Sequence, residues 1–168
     1  MIHLYLQRIY GPRCKGKVLN VGLGWGYSAR VMLSLRGVNQ VVTVEKDLPT
    51  IAAYQSRFAG DPLESRHNIL QSDIGSLGTV LAAVKPFDFI FVDTIEDLTE
   101  GPYATLRAFF AQIKTDGILA PNGVLQIEYQ ADTPIEREFR NQWMETNFRK
   151  VQESVLGLRE PKLYYQLS

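Results

Sequence analysis

Three groups of residues have the types and spacing to do chemistry. The first is Gly22-Leu23-Gly24-Trp25-Gly26. Glycines this close let the chain turn tightly and let a ligand approach the backbone. Free N–H groups at the start of a following helix would favour an anion or carboxylate. The second is Glu45, which closes the next apolar run with Lys46 beside it. A carboxylate there can accept from both hydroxyls of a ribose. The third is Asp93-Thr94-Ile95-Glu96-Asp97-Leu98-Thr99-Glu100, four carboxylates in eight residues. Acids beside a nucleophile favour a cation, and Asp93 could orient an amine or guanidine and take its proton. Glu96, Asp97 and Glu100 would equally suit a solvated loop leading into a helix N-terminus.

Other chemistries fit less well. A dinucleotide fingerprint needs Gly or Ala at position 27, where Tyr27 stands, so NAD is disfavoured. Ser28 is not in a G-x-S-x-G elbow. His3 and His67 have no acidic or thiol neighbours at ligand spacing, so no metal is expected. Arg13, Lys15 and Lys17 could lower the pKa of Cys14, but nothing else marks it as a nucleophile. Trp25 and Tyr27 either wall a ligand or pack the start of a helix. Tyr129 and Gln130, ending a strand, could line the substrate side.

These residues need elements to position them. Apolar runs and helical patterns alternate along the chain. Ile2–Tyr10 reads as a short helix, stopped by Gly11, Pro12 and Gly16. Strands are expected at Lys17–Val21, Gln40–Glu45, Asn68–Gln71, Phe87–Val92 and Val124–Tyr129. Helices are expected at Tyr27–Leu35, Leu48–Phe58, Ser76–Val84 and Pro102–Ile113, with another from Pro134 to about Asn147. Asp47 is the expected N-cap of the second of these, with Pro49 in its first turn. Pro121-Asn122-Gly123 signals a turn. Lys150–Leu156 and Lys162–Leu167 read as two strands with no helix between them, so one should be antiparallel. Strand–helix alternation implies a mainly parallel α/β sheet covered on both faces. In such sheets ligands bind beyond the carboxyl ends of the strands, where all three groups fall.

Composition sets outer bounds. At 168 residues, 45% hydrophobic and 21% charged, the chain is expected to fold as one domain. Eighteen basic residues balance eighteen acidic ones, which argues against a nucleic-acid grip in bulk. The helix-spanning charges Arg137 to Lys150 are mixed in sign and read as a solvated face. No apolar run approaches the ~20 residues of a bilayer span, and the N-terminus lacks the apolar core of a signal peptide. A single cysteine fits a reducing cytoplasm.

The motifs resemble those of the class I S-adenosylmethionine-dependent methyltransferases. Val18–Gly26 looks like their first motif, Val41–Glu45 their second, and Ser72-Asp73-Ile74 their adenine-contacting segment. Phe87–Thr94 looks like the fourth, and Ala120–Val124 like the turn before strand five. The resemblance runs from about Lys17 to Ser168, with residues 1–16 as a short helical extension to a single domain. It implies a Rossmann-like, doubly wound seven-stranded sheet of order 3-2-1-4-5-7-6, with strand seven antiparallel. It implies S-adenosylmethionine as cofactor, held by Gly22, Leu23, Gly24, Gly26, Glu45 and Lys46. Asp73 would accept from the adenine amino group and Ile74 would donate its N–H to the ring. As turn formers, Ser72, Asp73 and Gly75 also suit a simple cap. Asp93 would be both a cofactor neighbour and the catalytic residue. Asn20 departs from the usual acidic residue two before the first glycine.

Two narrower resemblances compete. F-D-x-I-x-x-D-T and Leu163-Tyr164-Tyr165 look like guanidino N-methyltransferases; Asp93-x-x-Glu96 with Gly101-Pro102 looks like spermidine synthases, which transfer an aminopropyl group. Both imply a cationic nitrogen substrate, contacted by Glu96, Asp97 and Tyr129. The expected function is methyl transfer to a small cationic molecule, with no nucleic-acid or membrane partner and with self-association left open. Aminopropyl transfer is the nearest alternative. A cofactor-binding module that needs a partner chain is a third reading, motivated by the short N-terminus.

Overall fold

The computed structural model describes Tyr10 and residues 13–93, 100–127, 144–153 and 162–167. The apolar runs become strands β1 (Gly16–Val21), β2 (Val38–Glu45), β3 (His67–Gln71), β4 (Phe87–Val92), β5 (Leu119–Ile127), β6 (Arg149–Glu153) and β7 (Lys162–Gln166). Between them lie helices α1 (Tyr27–Ser34), α2 (Leu48–Arg57), α3 (Leu77–Leu81), α4 (Glu100–Thr115) and the single turn α5 (Glu145–Asn147). The strands form one sheet in the order β3-β2-β1-β4-β5-β7-β6. The first five are parallel neighbours, and β7 runs antiparallel to both β5 and β6. This is the expected order, and the last two strands are indeed the antiparallel part.

Each face of the sheet buries its own cluster, because alternate residues of a strand point to opposite sides. Val18, Val41, Phe89, Phe91 and Val124 pack with Ala29, Met32 and Leu33 of α1 and with Ile51 and Tyr54 of α2. Leu19, Val21, Val42, Val44, Ile90 and Val92 pack with Leu77 and Leu81 of α3 and with Phe109, Phe110 and Ile113 of α4. β4 is buried at every position but Asp88, as a central strand covered on both sides must be. Asp47 caps α2, its carboxylate accepting from the Thr50 N–H at 2.8 Å.

Several boundaries differ from expectation. Pro121-Asn122-Gly123 lies inside the span of β5: Phe87 pairs with Leu119 and Phe89 with Val124, so the turn former becomes a bulge in a continuing strand. The helix expected over Ser76–Val84 begins as a 3-10 turn, Ile74–Ser76, and continues as α3 only to Leu81. A 3-10 turn over Pro62–Arg66, where the sequence suggested only a break, leads into β3. Of the expected N-terminal helix only Tyr10 falls among the described residues, and of the Pro134–Asn147 helix only its end does.

Candidate active site at the carboxyl edge of the sheet

The carboxyl ends of β2, β1 and β4 lie side by side, and backbone hydrogen bonds carry their pairing one residue further. Gly22 N–H donates to the Val44 carbonyl at 2.9 Å, and Asp93 N–H donates to the Val21 carbonyl at 3.0 Å. Gly22, Glu45 and Asp93, far apart in sequence, are thereby set along one edge.

The loop after β1 turns in a way only glycine tolerates. Gly22, Gly24 and Gly26 have φ of 98°, 49° and 82°, a region costly for residues with a Cβ. Gly26 N–H donates to the Leu23 carbonyl at 2.8 Å, and the Gly26 carbonyl then accepts the first bond of α1 from Arg30 N–H at 3.0 Å. Among the described residues no side chain caps α1, so its first-turn N–H groups point out over the loop. A Cβ at Gly24 would meet nothing within 4 Å, whereas one at Gly26 would strike the Tyr54 ring. Among the described residues the open space lies over Gly24, where a ligand can approach the backbone.

Glu45 braces this loop. Its Oε2 accepts from Leu23 N–H at 2.9 Å, and its Oε1 from the N–H groups of Lys46 and Asp47 at 2.8 and 2.9 Å. A carboxylate offers about four acceptor directions, so about one is left for a ligand hydroxyl. Asp73 stands exposed beyond β3, and its Oδ1 accepts from Gly75 N–H at 2.9 Å. The capping alternative is therefore realised for that oxygen. Ile74 is half-buried against the core.

Behind the loop, Asn20 is fully buried. Its Nδ2 donates to the Gly22 carbonyl at 2.7 Å and faces Thr43 Oγ1 at 3.5 Å. Trp25 and Tyr27 are each 74% exposed, so they do not pack the helix start. The Arg57 guanidinium lies 5.8 Å from the Trp25 ring centre. Asp93 is half-buried at the edge. Glu96, Asp97, Tyr129 and Gln130 lie outside the described residues.

Cys14 is buried, which suits a thiol with no nucleophilic role. Burial pushes its thiol up to about 12, the opposite of the lowering that its basic neighbours could have given. Burial disfavours the charged thiolate and so raises the pKa. Cys14 should therefore resist iodoacetamide at pH 8 in the native protein and be modified rapidly only in urea, as mass spectrometry would show. Fast native modification would contradict its burial.

Two surface clefts lie elsewhere. One of about 340 Å³ flanks β3, lined by Phe58, Glu64 and His67 among others. One of about 510 Å³ lies at the opposite, amino end of the sheet, beside Lys15, Asp88 and Pro121. Among the described residues no group of three or more His, Cys, Asp or Glu gathers to hold a metal, and no helix is long and apolar enough to cross a membrane.

No family profile and no curated protein sequence matches the chain. Solved structures do. Human methyltransferase-like protein 13, in complex with SAH, superposes with a TM-score of 0.68 at 21% identity, covering 99% of this chain and 79% of that one. The O-methyltransferase from Bacillus cereus, also in complex with SAH, gives 0.65 at 18% identity, over 97% of this chain and 78% of that one. The SAH-bound Podospora anserina methyltransferase PaMTH1 gives 0.63 at 18%, over 99% and 76%. At these identities the likeness establishes the fold: the chain has the Rossmann-like methyltransferase architecture.

Proposed function

We propose that the protein is an S-adenosylmethionine-dependent methyltransferase acting on a small molecule, with a cationic amine or guanidine nitrogen as acceptor. The observation that carries this reading is the convergence of the Gly22–Gly26 loop, Glu45 and Asp93 on one edge of three adjacent strands. Open space over Gly24 and the uncapped start of α1 fit a ligand with a carboxylate at one end and a ribose at the other. Neighbours of the same fold carry SAH in their solved forms.

In this reading the loop and the α1 N–H groups receive the methionine end, and Glu45 accepts from a ribose hydroxyl. Asp73 and Ile74 flank the adenine. The cofactor supplies an electrophilic methyl on a sulfonium. The chain's own contribution is alignment of the acceptor and exclusion of water around it. Asp93, half-buried at the edge, orients the acceptor nitrogen and takes its proton. Glu96, Asp97 and Tyr129 complete the acceptor side.

Isothermal titration at neutral pH tests the reading directly. Binding of S-adenosylhomocysteine is expected, and its absence would sink the proposal. Mass spectrometry of amine and guanidine products separates methyl from aminopropyl transfer, since only the former adds a single methyl group. Asp93→Asn should lower turnover by on the order of 10²-fold, the usual worth of a positioned base, while leaving S-adenosylhomocysteine affinity nearly unchanged. Equal loss of both would move Asp93 from the acceptor side to the cofactor side.

A further inference from the structure

We infer that His67, at the start of β3 and remote from the glycine loop in sequence, positions that loop through a chain of buried side chains, so that its protonation loosens the cofactor site. The inference rests on the proposed function for its link to the cofactor.

The links run across three neighbouring strands. Asn20 of β1 stands in register with Thr43 of β2, and the next strand out, β3, begins with His67 opposite Val41. Asn20, Thr43 and the His67 side chain are all fully buried. His67 Nε2 lies 2.8 Å from Thr43 Oγ1, and His67 Nδ1 lies 3.0 Å from Glu64 Oε2. Thr43 Oγ1 faces Asn20 Nδ2, which holds the Gly22 carbonyl at 2.7 Å.

Donor and acceptor roles follow from one end. The Glu64 carboxylate already accepts from Arg30 Nη1 at 2.9 Å and from the Tyr54 hydroxyl at 2.8 Å. It can offer His67 only lone pairs, so Nδ1 carries the imidazole proton and Nε2 is bare in the neutral ring. Thr43 must then donate to Nε2, which turns its own lone pairs toward the Asn20 amide. The amide nitrogen, not its oxygen, therefore faces both Thr43 and the Gly22 carbonyl. This leaves Asn20 Oδ1 without a partner among the described residues, the cost of an orientation dictated from outside.

A second proton on His67 reverses the sequence. Nε2–H would point at Thr43 Oγ1 and displace the threonine proton from the ring, and the unsatisfied acceptor of the relay, Asn20 Oδ1, is the group that draws it. An amide that turned its oxygen to receive it would also set that oxygen against the Gly22 carbonyl, replacing an attraction by a repulsion at the first glycine of the loop. The groups facing the imidazole are Glu64 from the turn before β3, Arg30 from α1 and Tyr54 from α2, whose ring meets it edge-on at 5.2 Å. Asp61 is paired with Arg30. Burial holds the His67 pKa below its ordinary 6.5, outweighing Glu64, which favours the cation. The anchored loop is thus the state above that pKa, and the anchor fails as pH falls through it.

Nitrogen–proton NMR between pH 8 and 5, with affinity for S-adenosylhomocysteine measured on the same samples, tests this. The amide resonances of Gly22 and Leu23 should move with the midpoint of the His67 ring. Affinity should fall by roughly two- to tenfold across it, the worth of one hydrogen bond. In Thr43→Val the imidazole still titrates but the loop amides and the affinity should no longer follow. His67→Gln, which cannot titrate, should give a flat profile and serves where the valine variant does not fold. Loop amides that ignore the His67 midpoint, or a valine variant that keeps the wild-type slope, would overturn the inference. Amides that follow His67 in a protein that binds no S-adenosylhomocysteine would leave the relay standing and remove the proposed function instead.

Discussion

Glu45→Ala is expected to weaken S-adenosylhomocysteine binding by about tenfold to a hundredfold and to lower stability by roughly 1–3 kcal/mol. Both effects come from the same carboxylate. Leu23 is 2% exposed, and its N–H reaches Glu45 Oε2 at 2.9 Å. Truncation leaves that donor buried and unpaired, which is the costly way to lose a hydrogen bond. Lys46 and Asp47 are exposed, so water can replace the two bonds they make to Oε1. The stability loss should therefore arise mostly at Leu23. The loss in affinity adds the missing ribose acceptor to a loop no longer braced from β2. Glu45→Gln separates the two. Its amide keeps one acceptor oxygen and turns an N–H toward one of the backbone donors, so stability should fall less than in the alanine variant. Titration calorimetry and urea unfolding measure the pair of effects. A stability loss without any change in affinity would confine Glu45 to bracing.

Gly26→Ala should destabilise the fold by about 2–5 kcal/mol and abolish a defined cofactor loop. Gly26 has φ of 82°, where a Cβ costs about 1–2 kcal/mol. The added carbon would also sit 2.3 Å from Cδ2 and from Cε2 of Tyr54. That ring cannot easily yield. It is 3% exposed, tied by its hydroxyl to Glu64 at 2.8 Å, and packed against Phe58 and His67. Overpacking of this kind adds about 1–3 kcal/mol. Gly24→Ala is the contrast. It also has positive φ, but its Cβ would meet nothing within 4 Å. It should cost only the conformational part in stability, while its methyl intrudes where a ligand would pass. Adding Tyr54→Ala to Gly26→Ala should recover part of the loss, and the double-mutant cycle should be non-additive. If Gly26→Ala proved no more destabilising than Gly24→Ala in urea, the contact with Tyr54 would not be real.

Much of this was legible in the chain itself because it is local. Phe87–Val92 is bounded as its apolar run suggests, and Asp47 caps α2 because an N-cap and its first-turn donor lie three residues apart. The close spacing of Gly22, Gly24 and Gly26 allowed a tight turn, which the structure makes with all three at positive φ. The helix-free C-terminal pair signalled an antiparallel end to the sheet. Local signals also misled. Pro121-Asn122-Gly123 carries strong turn chemistry, yet pairing of Leu119 with Phe87 keeps the strand going around it. Basic residues beside Cys14 are visible in sequence, but the burial that raises its pKa is not.

What the sequence by itself determined, then, is the alternation of elements, the turn after β1, and the placing of Glu45 and Asp93 at strand ends. These depend on periodicity and on spacings of a few residues, which the backbone converts directly into geometry. Only the tertiary structure decided that Glu45 braces Leu23, that Tyr54 closes off Gly26, and that His67 reaches Gly22 through Thr43 and Asn20. Those contacts arise where residues distant along the chain meet across strands and helices. In sequence His67 carries no assigned role, because apart from Glu64, three residues before it, its partners belong to β2, α1 and α2. They become neighbours only once the buried faces of the sheet and its helices have set the register.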